Sequence, residues 1–160
     1  MTMKINYLIP NRYKKIGWAI LIPSVILGLV HFFFNYEPDF FNTRVFTIFD
    51  DGKWDAPLIL TFTENNIWNE LIGVLIITSS IMVAFSKQKH EDEFIAKIRL
   101  ESLVWATYIN YAILLFGLIL VYGFGFMWVM VFNMFTILLI FIIRFHWAVY
   151  KLNRTESYAE

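Results

Sequence analysis

The sequence predicts an all-α integral membrane protein, a four-helix transmembrane bundle with cytoplasmic termini and a small β-hairpin or an irregular segment in its outer loop. Three observations carry that expectation. Hydrophobic residues make up 59% and aromatic residues 19% of the 160 residues, and mean hydropathy is +0.60, far from the composition of a soluble domain. Four apolar stretches, 16–35, 67–86, 103–123 and 126–143, contain no Lys or Arg, and each has close to the roughly 20 residues needed to cross a hydrocarbon core of about 30 Å. The basic residues between and beyond them fall into a one-sided pattern. The chain reads as one membrane domain over residues 1–160.

Composition also excludes. The 13 basic and 13 acidic residues cancel, so no global charge bias points to nucleic acid, and none is expected to bind directly. There is no cysteine, which removes disulfides, thiol nucleophiles and thiolate-bound metals.

The first span follows Lys14 and Lys15, the pattern of a signal peptide. Its apolar run is too long for one, however, and it ends in "HFFFNYEPDF" with no small-x-small cleavage site, so it is expected to be retained. Orientation follows from the Lys and Arg counts. Residues 1–15 hold four (Lys4, Arg12, Lys14, Lys15), 87–99 hold four, and the tail from Arg144 holds three. The loop at 36–66 holds only Arg44 and Lys53, beside six acidic residues. An even number of spans then places both termini and the 87–101 segment on the cytoplasmic side.

Within the outer loop, "TRVFTIF" and "PLILTFTE" are β-branched and aromatic, and "DDG" between them is a turn signal. Both a hairpin capping the outer face and an irregular loop on the headgroups fit. "ENN" before Ile67 supplies an N-cap for the second span. "YGFGFMW" is short enough to force the last two spans into a helical hairpin.

Helices in lipid touch through small and polar residues. In the first span Ser24, Gly28, His31 and Asn35 share a stripe; in the second Glu70, Gly73, Ser80 and Ala84 do so. Antiparallel pairing sets Gly17 opposite Ala84, Gly28 opposite Gly73 and His31 opposite Glu70. Pro23 is expected to bend the first span. Asn110 in the third span and Asn133 in the fourth need partners, which directs both inward, with Asn133 near the level of Gly117.

His31 and Glu70 form the sharpest intramembrane polar pair. They could relay a proton or bind a cation with Asn35 and Glu37, or simply pack. His90 and His146 are the only histidines at one level, and His90 with Glu93 has i, i+3 spacing. The order is the reverse of the bundle Glu-x-x-His site and occurs once, so no metal is expected. No catalytic residues are identified, because no nucleophile–base pattern, phosphate loop or dinucleotide fingerprint is present. No cofactor is expected either. Trp18, Trp68, Trp105, Trp128 and Trp147 lie near span ends, where an interfacial aromatic belt would hold them.

The most unusual stretch is "KQKHEDEFIAKIRLES", with four charges of each sign between Lys87 and Glu101. From Val74 to Phe116 there is no Gly or Pro, and Glu93–Lys97 and Lys97–Glu101 are i, i+4 opposite-charge pairs. A helix starting near Glu91 and running unbroken into the third span is expected, with residues 91–102 as its cytoplasmic extension. Two purposes fit: a solvated helix end against lipid, or a docking ridge made of Glu91, Asp92, Glu93, Lys97, Arg99 and Glu101. The tail would bring Arg144, His146 and Lys151 beside its acids.

The stretch "EDEFIAKIRLESLVWATYINYAILL", through Glu91, Asp92, Glu93, Arg99, Glu101, Trp105, Tyr108 and Asn110, resembles a segment of small four-span membrane proteins of the Bacteroidota. The resemblance covers residues 87–115 best. It implies a bacterial inner-membrane location and a cytoplasmic regulatory protein as partner. The leading expectation is a non-enzymatic inner-membrane protein that presents its charged cytoplasmic helix to a protein partner. The alternative is a small oligomeric transport or ion-permeation component using His31, Glu70, Asn110 and Asn133, with further copies of the chain and the lipid bilayer as its partners.

Overall fold

The computed structural model describes residues 7–50, 58–88 and 91–156. It is mostly helical, in the order α1 (Arg12–Phe34), a short 3₁₀ turn (Asp39–Phe41), β1 (Asn42–Asp50), β2 (Leu58–Asn66), α2 (Trp68–Ala84), α3 (Glu93–Leu120) and α4 (Phe124–Glu156). The helices α1, α3 and α4 are long and apolar enough to cross a membrane, and α2 is a shorter apolar helix. The chain divides into two compact units, residues 1–21 with 76–160 and residues 22–75.

In the first unit α3 and α4 form an antiparallel hairpin. Asn110 meets Asn133, and a Cβ on Gly117 would lie 2.6 Å from Val129 Cγ1. Asn133 therefore sits across from Asn110 and not at the level of Gly117, whose missing side chain lets Val129 seat. The turn between the helices needs Gly123, which takes φ +66°, a conformation that penalises any residue with a Cβ. The N-terminal part of α1 packs equally closely on the end of α2. A Cβ on Gly17 would fall 2.8 Å from Val83 Cγ2 and 3.3 Å from the Ser79 carbonyl, so the expected small-residue contact forms, one position from Ala84. Val83, Ala84, Ala106, Phe141, Ile142 and Phe145 are buried, with Phe85, Phe141 and Phe145 stacked in sequence at 5.7 and 5.8 Å.

The second helix is 17 residues long, about 25 Å at 1.5 Å per residue, and stops short of the stretch expected to Ser86. A backbone competitor explains the stop. Ile9 N–H donates to the Phe85 carbonyl at 3.0 Å, and Lys87 N–H donates to the Ile9 carbonyl at 2.9 Å. Phe85 N–H still bonds the Ile81 carbonyl, but the parallel bridge of Ile9 to Ser86 takes the chain out of the helical pattern from there.

The second unit contains the β-hairpin, so the hairpin reading of the outer loop holds. Strands β1 and β2 pair antiparallel, with Arg44 opposite Glu64, Phe46 opposite Phe62 and Thr47 opposite Thr61. Its root is fastened locally. Asn66 Oδ1 accepts from the Trp68 N–H at the start of α2, so the "ENN" stretch does supply a side-chain acceptor there, and Asn66 Nδ2 donates to the Pro38 carbonyl. Ile67 N–H donates to the Phe41 carbonyl, and the Phe41 and Trp68 rings lie 4.9 Å apart. The first helix ends because Asn35 adopts φ +47°, the left-handed position after a helix that Asn tolerates.

Candidate functional site

The charged stretch folds as a helix from Glu93, two residues after the expected start near Glu91. Asp92 is its N-cap: Oδ1 accepts from Ile95 N–H at 2.8 Å. The helix then runs unbroken for 28 residues, as the absence of Gly and Pro predicts. Its inward stripe is Ile95, Arg99, Ser102, Ala106 and Asn110, successive residues three or four apart on one face. Arg99 thus falls on the packing face, and only 5% of it is exposed.

A charge that deep needs partners, and the turn supplies them. Arg99 Nη1 donates to Glu91 Oε1 at 2.8 Å, and Nη2 donates to Glu91 Oε2 and to the Ser86 carbonyl, both at 3.3 Å. The guanidinium also lies over the Phe145 ring of α4, 5.0 Å from its centroid. Glu91 Oε2 accepts in addition from Gln88 N–H at 2.8 Å, and Gln88 Oε1 accepts from Lys14 Nζ at 2.8 Å. The chain Lys14–Gln88–Glu91–Arg99 therefore links the start of α1, the α2–α3 turn and the inner face of α3, with α4 as its apolar wall. Arg99 Nε, Gln88 Nε2 and His146 Nε2 are buried without a hydrogen-bond partner among the described residues.

This divides the expected docking ridge. Glu91 and Arg99 are occupied with each other and Asp92 with the cap. Glu93, Phe94, Lys97, Leu100 and Glu101 remain exposed, and Lys97 and Glu101 are 4.0 Å apart in an exposed i, i+4 pair. Of the tail residues expected beside these acids, Arg144 and His146 have other partners, and Lys151 Nζ lies 6.0 Å from the Trp147 ring centroid. Arg144 lies over the Trp105 and Trp147 rings, 5.2 and 5.5 Å from their centroids. His146 Nδ1 donates to the Ile142 carbonyl at 2.9 Å. His90 lies outside the described residues, and the His90–His146 and His90–Glu93 expectations lie there with it.

The other expected sites have different outcomes. His31 and Glu70 do not bond to each other. His31 Nδ1 donates to the Tyr36 carbonyl at 3.1 Å, and Glu70 Oε1 accepts from Asn65 Nδ2 at 3.1 Å. Each has taken a partner five residues away in sequence, which costs less chain ordering than one on another helix. Asn35 is exposed and serves as the helix stop, not as an interior polar group. Asn110 and Asn133 do come together: Asn133 Nδ2 donates to Asn110 Oδ1 at 3.2 Å, and Asn110 Nδ2 to Asn133 Oδ1 at 3.4 Å. Among the described residues no group of three or more metal-ligating side chains occurs.

Compared with protein-family models, curated proteins and solved structures, the chain matches none.

Proposed function

We propose that the chain is a multi-pass protein of the bacterial inner membrane, a bundle of four crossing helices with both termini cytoplasmic. In this reading it offers the outer face of the first turns of α3 to a cytoplasmic regulatory protein. The membrane part is supported by how little of the long helices the protein itself covers. Only 11% of the apolar window of α3, and 11% of that of α4, is buried, and an apolar surface of that extent needs lipid around it. The orientation rests on the Lys and Arg distribution.

One observation carries the docking part. Phe94 and Leu100 stand exposed among Glu93, Lys97 and Glu101, while the opposite face of the same turns is locked by Glu91 and Arg99. An aromatic and an aliphatic anchor inside a charged rim, on a helix that does not need to reorder, is the composition of a protein-binding patch. The test uses a triple variant, Glu93→Lys, Phe94→Ala, Glu101→Lys, which leaves the Asp92 cap and the Arg99–Glu91 pair in place. Cross-linking from Lys97 in native membranes is expected to capture one defined cytoplasmic protein with the wild-type chain and to lose it with the variant. Equal capture by both would refute the docking face.

A further inference from the structure

The hairpin of the second unit carries a free apolar face, and we infer that this face is a lipid-insertion surface that seats in the headgroup–acyl boundary of the outer leaflet. The register sets Arg44 opposite Glu64 and Phe46 opposite Phe62 on one face, and alternation adds Ile48 to it; Leu60, next to this face on β2, takes φ +55° and interrupts the pairing there. Phe46 is 56% exposed, Ile48 70%, Leu60 64% and Phe62 70%, and the Phe46 and Phe62 rings touch edge to face at 5.4 Å. The other face differs. Val45, Thr47, Thr61 and Thr63 are half-buried, and the Thr47 and Thr63 hydroxyls bond to each other at 2.7 Å. Near the root the apolar side chains therefore occupy the more open side, and on the other face Ile59, farther from the root, is 68% exposed.

Three features select a bilayer as the occupant. The first is tethering. One residue, Ile67, separates β2 from α2, and the root is pinned by Asn66, Phe41 and Trp68. Residues 35–41, with the 3₁₀ turn, join β1 to the end of α1, where Phe33 and Phe34 are both exposed. A membrane holding those helices is present at high effective concentration. The second is area. Four side chains of this size, each 56% to 70% exposed, offer on the order of 500 Å², below the roughly 800 Å² per partner of a stable protein interface. A tethered surface contacting lipid has no such minimum. The third is charge. The pair Arg44–Glu64 closes the rooted end of the face at 3.3 Å, so the patch meets headgroups with its nearest charges already neutralised.

This inference rests on the membrane reading above, and the experiment separates the two. The chain has no cysteine, so single-cysteine variants of the full protein can each carry one environment-sensitive fluorophore. They are reconstituted in phosphatidylethanolamine–phosphatidylglycerol vesicles. Probes at Phe46→Cys, Ile48→Cys and Phe62→Cys are expected to emit blue-shifted light, lose it to a lipid-phase quencher and resist iodide. Probes at Thr43→Cys and Thr61→Cys on the other face are expected to show no lipid quenching. A probe at Ile26→Cys, on an exposed position of α1, reports whether that helix is in lipid. Lipid quenching at Ile26 with iodide quenching at Phe46, Ile48 and Phe62 would overturn the insertion surface alone. Iodide quenching at Ile26 would overturn the membrane reading and this one with it. Shielding of the Phe46 face from both quenchers would mean a protein surface covers it, such as a second copy, and would also overturn the inference.

Discussion

Two arginine–glutamate pairs, one in each unit, use the same chemistry to different ends. Arg99 and Glu91 meet at 2.8 Å with side-chain exposures of 6% and 23%. Arg44 and Glu64 meet at 3.3 Å with 78% of each side chain exposed. The first pair lies where leaving either charge alone would strand it in the packing between helices. The second pair lies where water would solvate either charge at once. Geometry alone makes them look alike, and burial decides that only the first holds structure.

The largest effect expected from this contrast is at Glu91. Glu91→Ala leaves the Arg99 guanidinium buried over Phe145 with only the Ser86 carbonyl as an acceptor. Removing one partner of a buried pair costs roughly 3–5 kcal/mol. The partial exposure of Glu91 puts the expected loss near the lower end, about 3 kcal/mol. Arg99→Met removes the buried charge and keeps the length of the chain, so it should cost less. The double variant should regain most of what Glu91→Ala loses. Thermal unfolding in detergent measures all three, and losses that simply add would show that the two residues do not act as a pair.

A neutral pair gives an intermediate case. Asn110 is buried and Asn133 half-buried, and they exchange hydrogen bonds between α3 and α4. Interhelical hydrogen bonds in membrane proteins contribute about 0.6 kcal/mol on average and up to about 1.7 kcal/mol. Asn133→Leu should fall in that range in the same unfolding assay, and Asn110→Leu added to it should not double the loss. A loss as large as that of Glu91→Ala would mean the amides do more than join two helices. It would also reopen the permeation alternative, in which they line a path.

How much of this was readable in the sequence varies with the range of the interaction. The unbroken α3, its start beside Asp92, the Asn66 acceptor at the start of α2 and the α3–α4 hairpin all follow from local rules: absent Gly and Pro, an acid before an apolar run, a glycine where φ turns positive. The inward turn of Arg99 is legible in the spacing. Ile95, Arg99, Ser102, Ala106 and Asn110 recur at helical spacing, and a lone arginine on a stripe of small and apolar residues is a buried charge awaiting a partner. Its partner was not legible, because Glu91 reaches it from a non-helical turn eight residues earlier, and no periodicity relates those positions. The His31–Glu70 expectation failed for the opposite reason. Helical counting places them at one level, but the Tyr36 carbonyl and the Asn65 amide are nearer in sequence and hold those bonds.

The smallest expected effect is at the exposed pair, and it tests the contrast most directly. Arg44 and Glu64 face each other across the hairpin at its rooted end, and cross-strand opposite charges contribute roughly 0.2–1 kcal/mol. Exposure of 78% on both side chains and screening by salt put the pair at the bottom of that range. Arg44→Ala and Glu64→Ala should each leave the unfolding midpoint almost unchanged, and raising the salt concentration should erase what difference remains. Salt should leave the Glu91→Ala deficit largely intact, because screening does not penetrate a pair held between helices. If both deficits responded alike to salt, burial would not be what separates the two pairs. Arg99 would then have to be water-accessible in the folded protein, against its position under Phe145.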